Sequence, residues 1–496
     1  MKGHAMHHDP IARRVALGAL AAALLAAGHA FAEAPQIVQA LKAGDRTAAL
    51  GLAKQKTQAN AAEPDGTTAL HWAVQRRDLE MTNLLLNAGA DFKLANRTGA
   101  KPLYLAAVNG DAAVMARLLD AGEDANAVLT AEGETVLMLT SYTGNPAAVK
   151  LLLDRGAEPN TQQFRGQTAL MWAAAEGHAQ VVKLLLDRGA DAGLSSTAST
   201  KPERRPPGGM TALLFAARQG KVEAARALLD GGADVNQAGA DNTSPLLIAV
   251  VNGHYDLATL LVERGANPNI ADANGRTPLY AAVDLRNVQW SQAPAPELPQ
   301  ATHLAMITRL LDAGADPSVK ITGQVGHRGS FDMRWSDLKG GTAFSRAAWN
   351  GDVEIMRLLL ARGADPKVAT EKGETALLLL SGAGWPLGQG YLRSDDEIAA
   401  SLDLLVEELD MDVNAATTEG ITPVIGAIFK GDNFVVQYLV DHGARLDVKD
   451  AKGRDVIAWA QGIAANEGQP PRPQPETEKL VRELMAKQGI TVAMAN

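Results

Sequence analysis

The sequence predicts an all-α solenoid of about eleven helix-turn-helix units with β-hairpin loops and a divergent N-terminal cap, and three observations point there. At 496 residues the chain exceeds what one hydrophobic core can usefully enclose, so it divides into domains or into an array whose units touch only their neighbours. Two short patterns recur in register along most of its length. Aromatic residues supply only 4% of the chain while glycine occurs 47 times, which suits closely approaching helices and tight turns.

The elements follow in order. Residues 1–32 read as a secretory leader: a basic start with Arg13-Arg14, an alanine-leucine run from Val15 to Ala27, and Ala30-Phe31-Ala32 ahead of Glu33, with cleavage expected after Ala32. The apolar run is shorter than the roughly 18–20 residues that cross a bilayer, so no membrane span is expected after cleavage. The arginine pair leaves both the general secretory and the twin-arginine routes open. His4, His7 and His8 lie in the segment to be discarded and read as a polar leader start, not a metal site. Next, Gln36 to Asn60 reads as a capping unit, with Ala43-Gly44-Asp45 as its inter-helix turn and few large apolar residues facing outward.

From there one pattern opens each unit, as in Gly66-Thr67-Thr68-Ala69-Leu70-His71-Trp72-Ala73 and Gly166-Gln167-Thr168-Ala169-Leu170-Met171-Trp172-Ala173-Ala174. A second closes it, as in Leu184 to Asp191 and Leu358 to Asp365. The opening glycines stand at 66, 99, 133, 166, 209, 275, 340, 373, 420 and 453, with Asn242 in the same place. Glycine supplies a backbone turn that a side chain would forbid, and Thr68 or Thr168 can cap the first helix through its hydroxyl. Leu170, Ala173 and Ala174 are expected on the buried face of that helix, and Val181, Val182, Leu184, Leu185 and Leu186 on that of the second, which Gly189 ends as a left-handed cap. The last unit is expected as Gly453 to Ala460 followed by Lys479 to Gly489, split by a proline-rich stretch.

These linked motifs, recurring mostly at steps of 33 or 34 residues from about 34 to 490, resemble the ankyrin repeat, whose period is about 33. The chain is identified as an exported bacterial member of that family. The expected organisation is a leader over 1–32, a cap over 33–62, repeats over 63–283 with an insertion at 194–208, repeats over 284–397 with insertions at 284–302, 319–339 and 382–397, C-terminal repeats and cap over 398–490, and a tail over 491–496.

Long loops in a compact array usually serve function. The insertions carry Trp290, Trp335, Trp385 and Tyr391, which makes them candidates for partner binding; the competing reading has them folding back over exposed helix ends. The family resemblance implies a second surface, the hairpin tips and the concave face formed by the first helices. There the residues just before the inter-helix glycine are candidates: Tyr142, Trp349 and Phe429 foremost, with Arg76 and Arg218. An aromatic that the fold need not bury is a plausible hot spot, whereas one touching an insertion is core.

Composition excludes several chemistries. The chain has no cysteine, hence no disulfide, thiolate metal site or cysteine nucleophile. Its net charge of −9 becomes about −11 once Lys2, Arg13, Arg14 and Asp9 leave with the leader, which argues against nucleic-acid binding. His71, His178, His254 and His442 occupy repeat positions with structural roles, and no acid and nucleophile converge on them. The Gly-Ala-Asp strings lack the ligand spacing of a calcium loop, and Gly323 to Gly329 lacks the residues of a phosphate cradle. The expectation is a monomeric, cofactor-free, non-enzymatic scaffold that binds another protein in the periplasm, or else after release from the cell. Alternatives are an accessory or chaperone-like factor for an exported enzyme, such as a redox enzyme, and a secreted effector that binds a host protein.

Overall fold

The computed structural model describes residues 34–198, 208–287, 298–323, 338–382, 393–462 and 473–490. Among them the chain forms twelve helix pairs. The first six are α1 Gln36–Ala43 with α2 Arg46–Ala53, α3 Ala69–Gln75 with α4 Leu79–Asn87, α5 Pro102–Asn109 with α6 Ala112–Asp120, α7 Val136–Thr143 with α8 Pro146–Asp154, α9 Ala169–Glu176 with α10 Ala179–Asp187, and α11 Ala212–Gln219 with α12 Val222–Asp230. The rest are α13 Pro245–Val251 with α14 Tyr255–Glu263, α15 Pro278–Arg286 with α16 Gln300–Asp312, α17 Ala343–Trp349 with α18 Val353–Ala361, α19 Ala376–Leu380 with α20 Asp395–Asp403, α21 Pro423–Lys430 with α22 Asn433–Asp441, and α23 Val456–Ala460 with α24 Pro475–Lys487. The chain divides into two compact units, one comprising Met1–Ser199, Gly208–Ala216 and Lys221–Asp234, the other Thr200–Pro207, Ala217–Gly220 and Val235–Asn496.

In the first unit the helix starts follow the caps that the sequence marks. The Thr68 hydroxyl accepts from the His71 amide, Thr135 from Met138 and Thr168 from Met171. Second helices are capped by short polar side chains: Asp45, Asp78, Asp111 and Asn145. Each cap satisfies an amide that the helix leaves without a partner, worth roughly 1 kcal/mol. Leu170, Ala173, Ala174, Val181, Val182 and Leu185 are buried as expected, whereas Leu184 and Leu186 are only half-buried. A Cβ built on Gly231 would come within 2.5 Å of the Leu186 side chain, so that leucine reaches forward to the next pair instead of inward. Gly189, at φ 86°, takes the left-handed conformation that ends α10.

Neighbouring pairs are also joined by polar bonds across the connections. The Asn160 side chain donates to the Gly189 carbonyl at 2.9 Å and accepts from the Asp191 amide at 2.8 Å. Asn126 makes the same two bonds to Gly156 and Glu158. Consecutive hairpin tips are tied by backbone bonds, Arg97 to Asp65, Phe164 to Glu132 and Thr197 to Arg165. Among the described residues the hairpins contain isolated bridges, such as Val128 with Thr135, and no extended strands.

The second unit repeats this scheme, with Asn269 bonded to Gly314 and Asp316, Asn414 bonded to Gly443 and Arg445, and tips linked from Ala273 to Asp241 and from Ala451 to Glu419. Its elements differ from the sequence reading at three margins. Residues 284–286, expected in an insertion, complete α15. Ser394 and Glu397 form a capping box at the start of α20, so the 382–397 segment ends in helix. The last helix begins at Pro475, four residues before the expected Lys479, because proline suits a first helical turn where no amide donor is needed.

Candidate interaction surface and a buried polar cluster

In the first unit, the first helices place a run of apolar and aromatic side chains toward one face. Trp72 is half-buried, with the Lys42 and Arg76 cations 5.3 and 5.7 Å from its ring centroid and its indole N–H donating to Glu63 at 2.8 Å. Arg76 is exposed and also donates to the Lys42 carbonyl at 3.3 Å. Leu105 and Val108 are half-buried on the next pair. Tyr142, half-buried, meets the buried Trp172 edge-on at 5.9 Å. At the hairpin tips, Phe164 is 85% and Val128 58% exposed. A phenylalanine ring left so open at a fixed tip is the kind of side chain that interfaces enclose.

In the second unit the aromatics expected on this face are enclosed instead. Trp349 is 4% exposed and clusters with Leu338 and Leu379; Leu338 comes from the 319–339 insertion, so its contact makes Trp349 core. Phe429 is 7% exposed and packs edge-on against Trp459 at 5.7 Å. Arg218 is half-buried. Trp290, Trp335, Trp385 and Tyr391 lie outside the described residues.

His71, His178, His254 and His442 each meet a backbone carbonyl, whereas His303 meets a side chain. His71 shares the capping box of Thr68 through Nδ1, and its Nε2 lies 3.0 Å from the Ala100 carbonyl ahead of the next helix pair; burial lowers its pKa. The Nε2 atoms of His178 and His254 lie 2.9 and 3.2 Å from the Tyr142 and Arg218 carbonyls. His442 bridges the Tyr438 carbonyl and Glu407. His303 is buried with Nδ1 2.8 Å from the Tyr255 hydroxyl, and burial, together with the Arg286 charge, lowers its pKa to about 4. Burial lowers the Lys430 ammonium to about 7, beside Asp432 at 3.4 Å.

One constellation went unread in the sequence. Where α15, α17, α18 and α20 meet, Arg286, Arg346 and Arg393 surround the buried Asp352 and Asp284. Asp352 Oδ2 accepts from Arg286 Nε at 2.7 Å, Arg393 Nη2 at 2.8 Å and Asn287 Nδ2 at 3.1 Å. Arg346 donates to Asp284 at 2.5 Å and to the Asn287 carbonyl at 3.3 Å. A signal was available: Arg346 sits at the first-helix position that holds Trp72, Leu105, Leu139, Trp172 or Phe215 in other units. A guanidinium in an apolar column requires buried partners.

Helix pairs of this kind, stacked through conserved-in-register caps and presenting side chains on one face and at the tips, form a repeat module for recognising other proteins. Models of ankyrin repeats match residues 33–128, 103–196, 194–272, 213–321 and 327–379. The chain belongs to the ankyrin-repeat family. It is similar to the Notch-regulated ankyrin repeat-containing protein A of Danio rerio, 40% identical over 83 residues, which are 16% of this chain and 74% of that protein. The human Notch-regulated ankyrin repeat-containing protein is 47% identical over 51 residues, 10% of this chain and 45% of its own length. The human transient receptor potential cation channel subfamily A member 1 is 34% identical over 97 residues, 19% of this chain and 8% of the channel. Among solved structures, the ankyrin repeat domain of Bcl-3, a member of the IkappaB protein family, is 28% identical with a TM-score of 0.38, covering 44% of this chain and 94% of that one. Among the described residues no helix is long and apolar enough to cross a membrane.

Proposed function

We propose that this chain is a non-enzymatic scaffold that acts after export, in the periplasm or outside the cell, and holds a folded partner protein on its first unit. The observation that carries the reading is the combination of Phe164, open at a hairpin tip, with the half-buried Leu105, Val108 and Tyr142 of the first helices. The asparagine and backbone bonds between neighbouring helix pairs fix this surface in advance, so little ordering entropy opposes binding. Membership in a family of interaction repeats supports the same reading, as does the structural engagement of every repeat histidine described above. The insertions remain candidates for a second contact.

The test is capture of proteins from periplasmic extract and culture medium on residues 33–496, beside the double variant Tyr142→Ala/Phe164→Asp. A protein retained by the parent and lost by a variant with unchanged circular dichroism supports the surface. Equal retention by both removes it.

A further inference from the structure

The buried cluster of the second unit holds an imbalance that the scaffold reading does not use. Among the described residues, the side chains of Arg286, Arg346 and Arg393, at most 10% exposed, stand against two enclosed carboxylates, Asp284 and Asp352. The other acids in reach, Glu354 on Arg286 and Glu397 on Arg393, stand at the rim with side chains about half exposed. Two guanidinium nitrogens, Arg346 Nη1 and Arg393 Nε, are buried without an acceptor among the described residues. Both guanidinium groups bond the same residue, Arg346 through the Asn287 carbonyl at 3.3 Å and Arg393 through its Oδ1 at 3.2 Å, so they flank one point of the fold.

We propose that Arg346 and Arg393 together bind a carboxylate. A buried guanidinium N–H left unmade is costly, and such a donor in a native protein calls for an acceptor. A water molecule would satisfy a donor but would leave the third cation without an enclosed counter-charge. The Trp349 ring lies 5.0 Å from the Arg346 guanidinium carbon and covers one of its faces. The incoming acceptor therefore approaches in the guanidinium plane, which is how a carboxylate is received. Entry is on the side of Arg393, whose side chain keeps 10% exposure against 4% for Arg346. The carboxylate is either a free small acid or an acidic group of a bound protein.

The experiment is saturation-transfer NMR on the full chain with two probes, sodium acetate and a short peptide ending in aspartate, the latter compared with a neutral amidated version. Saturable transfer to acetate, weakened at least tenfold in a folded Arg393→Gln chain, supports the site; Arg346→Lys, which keeps the charge but replaces the guanidinium fork with a single ammonium, gives a second variant should the first not fold. Acetate binding alone identifies a free acid, and tighter binding of the acidic peptide than of acetate identifies a protein carboxylate. Absence of saturable transfer for both probes overturns the proposal, and so does equal binding by parent and folded variants.

Discussion

Replacing Asp352 by alanine is the most informative single change. Its carboxylate, 1% exposed, accepts from Arg286, Arg393 and Asn287 and caps α18 by receiving the Ile355 amide. Removing it leaves Arg286, 3% exposed, with the neutral Gln300 carbonyl and, as its one counter-charge among the described residues, the rim carboxylate of Glu354. Breaking a buried ion pair from one side costs about 3–5 kcal/mol, and losing an N-cap costs about 1 kcal/mol. Because the two losses share one side chain they are not simply additive, and about 4 kcal/mol is the expectation. Asp352→Asn keeps an acceptor for the cap and loses the charge, so about half that loss is expected. In the Asp352→Ala background, Arg286→Met removes the stranded cation and restores at least about 1 kcal/mol. The assay is guanidinium unfolding followed by circular dichroism and by tryptophan fluorescence, to which Trp349 beside the cluster contributes. A loss under about 1 kcal/mol for Asp352→Ala, or further destabilisation by Arg286→Met, would refute the reasoning.

Three further outcomes are expected. Asn160→Ala removes two bonds between neighbouring pairs and lowers stability by about 1–2 kcal/mol in the same unfolding assay, whereas an unchanged midpoint would mean the bridge contributes nothing. His303 carries a pKa of about 4 in the fold against 6.5 for the free side chain, so the unfolded chain takes up its proton first as pH falls. Its contribution is fully present above about pH 6.5 and is lost as pH falls toward about 4, amounting to roughly 3 kcal/mol. The stability of a His303→Gln chain is therefore flatter than the parent's across that interval, and parallel curves would contradict the assignment. Phe164→Asp leaves stability within about 0.5 kcal/mol of the parent because the ring is open to solvent, and a larger loss would show that it is packed.

Most of the fold was legible because the repeat restates itself: a glycine, a capping hydroxyl and an apolar helix face recur at a fixed period, and each instance supports the others. The helix pairs and their caps at Thr68 and Thr168 followed directly. What escaped reading lies where the period breaks. The burial of Trp349 depends on Leu338, which an insertion delivers, and no spacing rule places that leucine. The Arg286–Asp352 and Arg393–Asn287 contacts join residues 66 and 106 positions apart across insertions, beyond the reach of local pattern. Phe164 was visible as a departure, since the equivalent tips carry Arg97, Ala131 and Glu419's neighbour Thr418, but exposure had to come from the structure.

The most direct test of the scaffold account is quantitative binding by the first unit's surface. The partner captured from periplasm or medium is titrated against the parent chain and against Tyr142→Ala/Phe164→Asp, with folding of both verified. The account predicts a specific complex with the parent and at least a tenfold weaker one with the folded variant. Equal affinity for the two chains would contradict it.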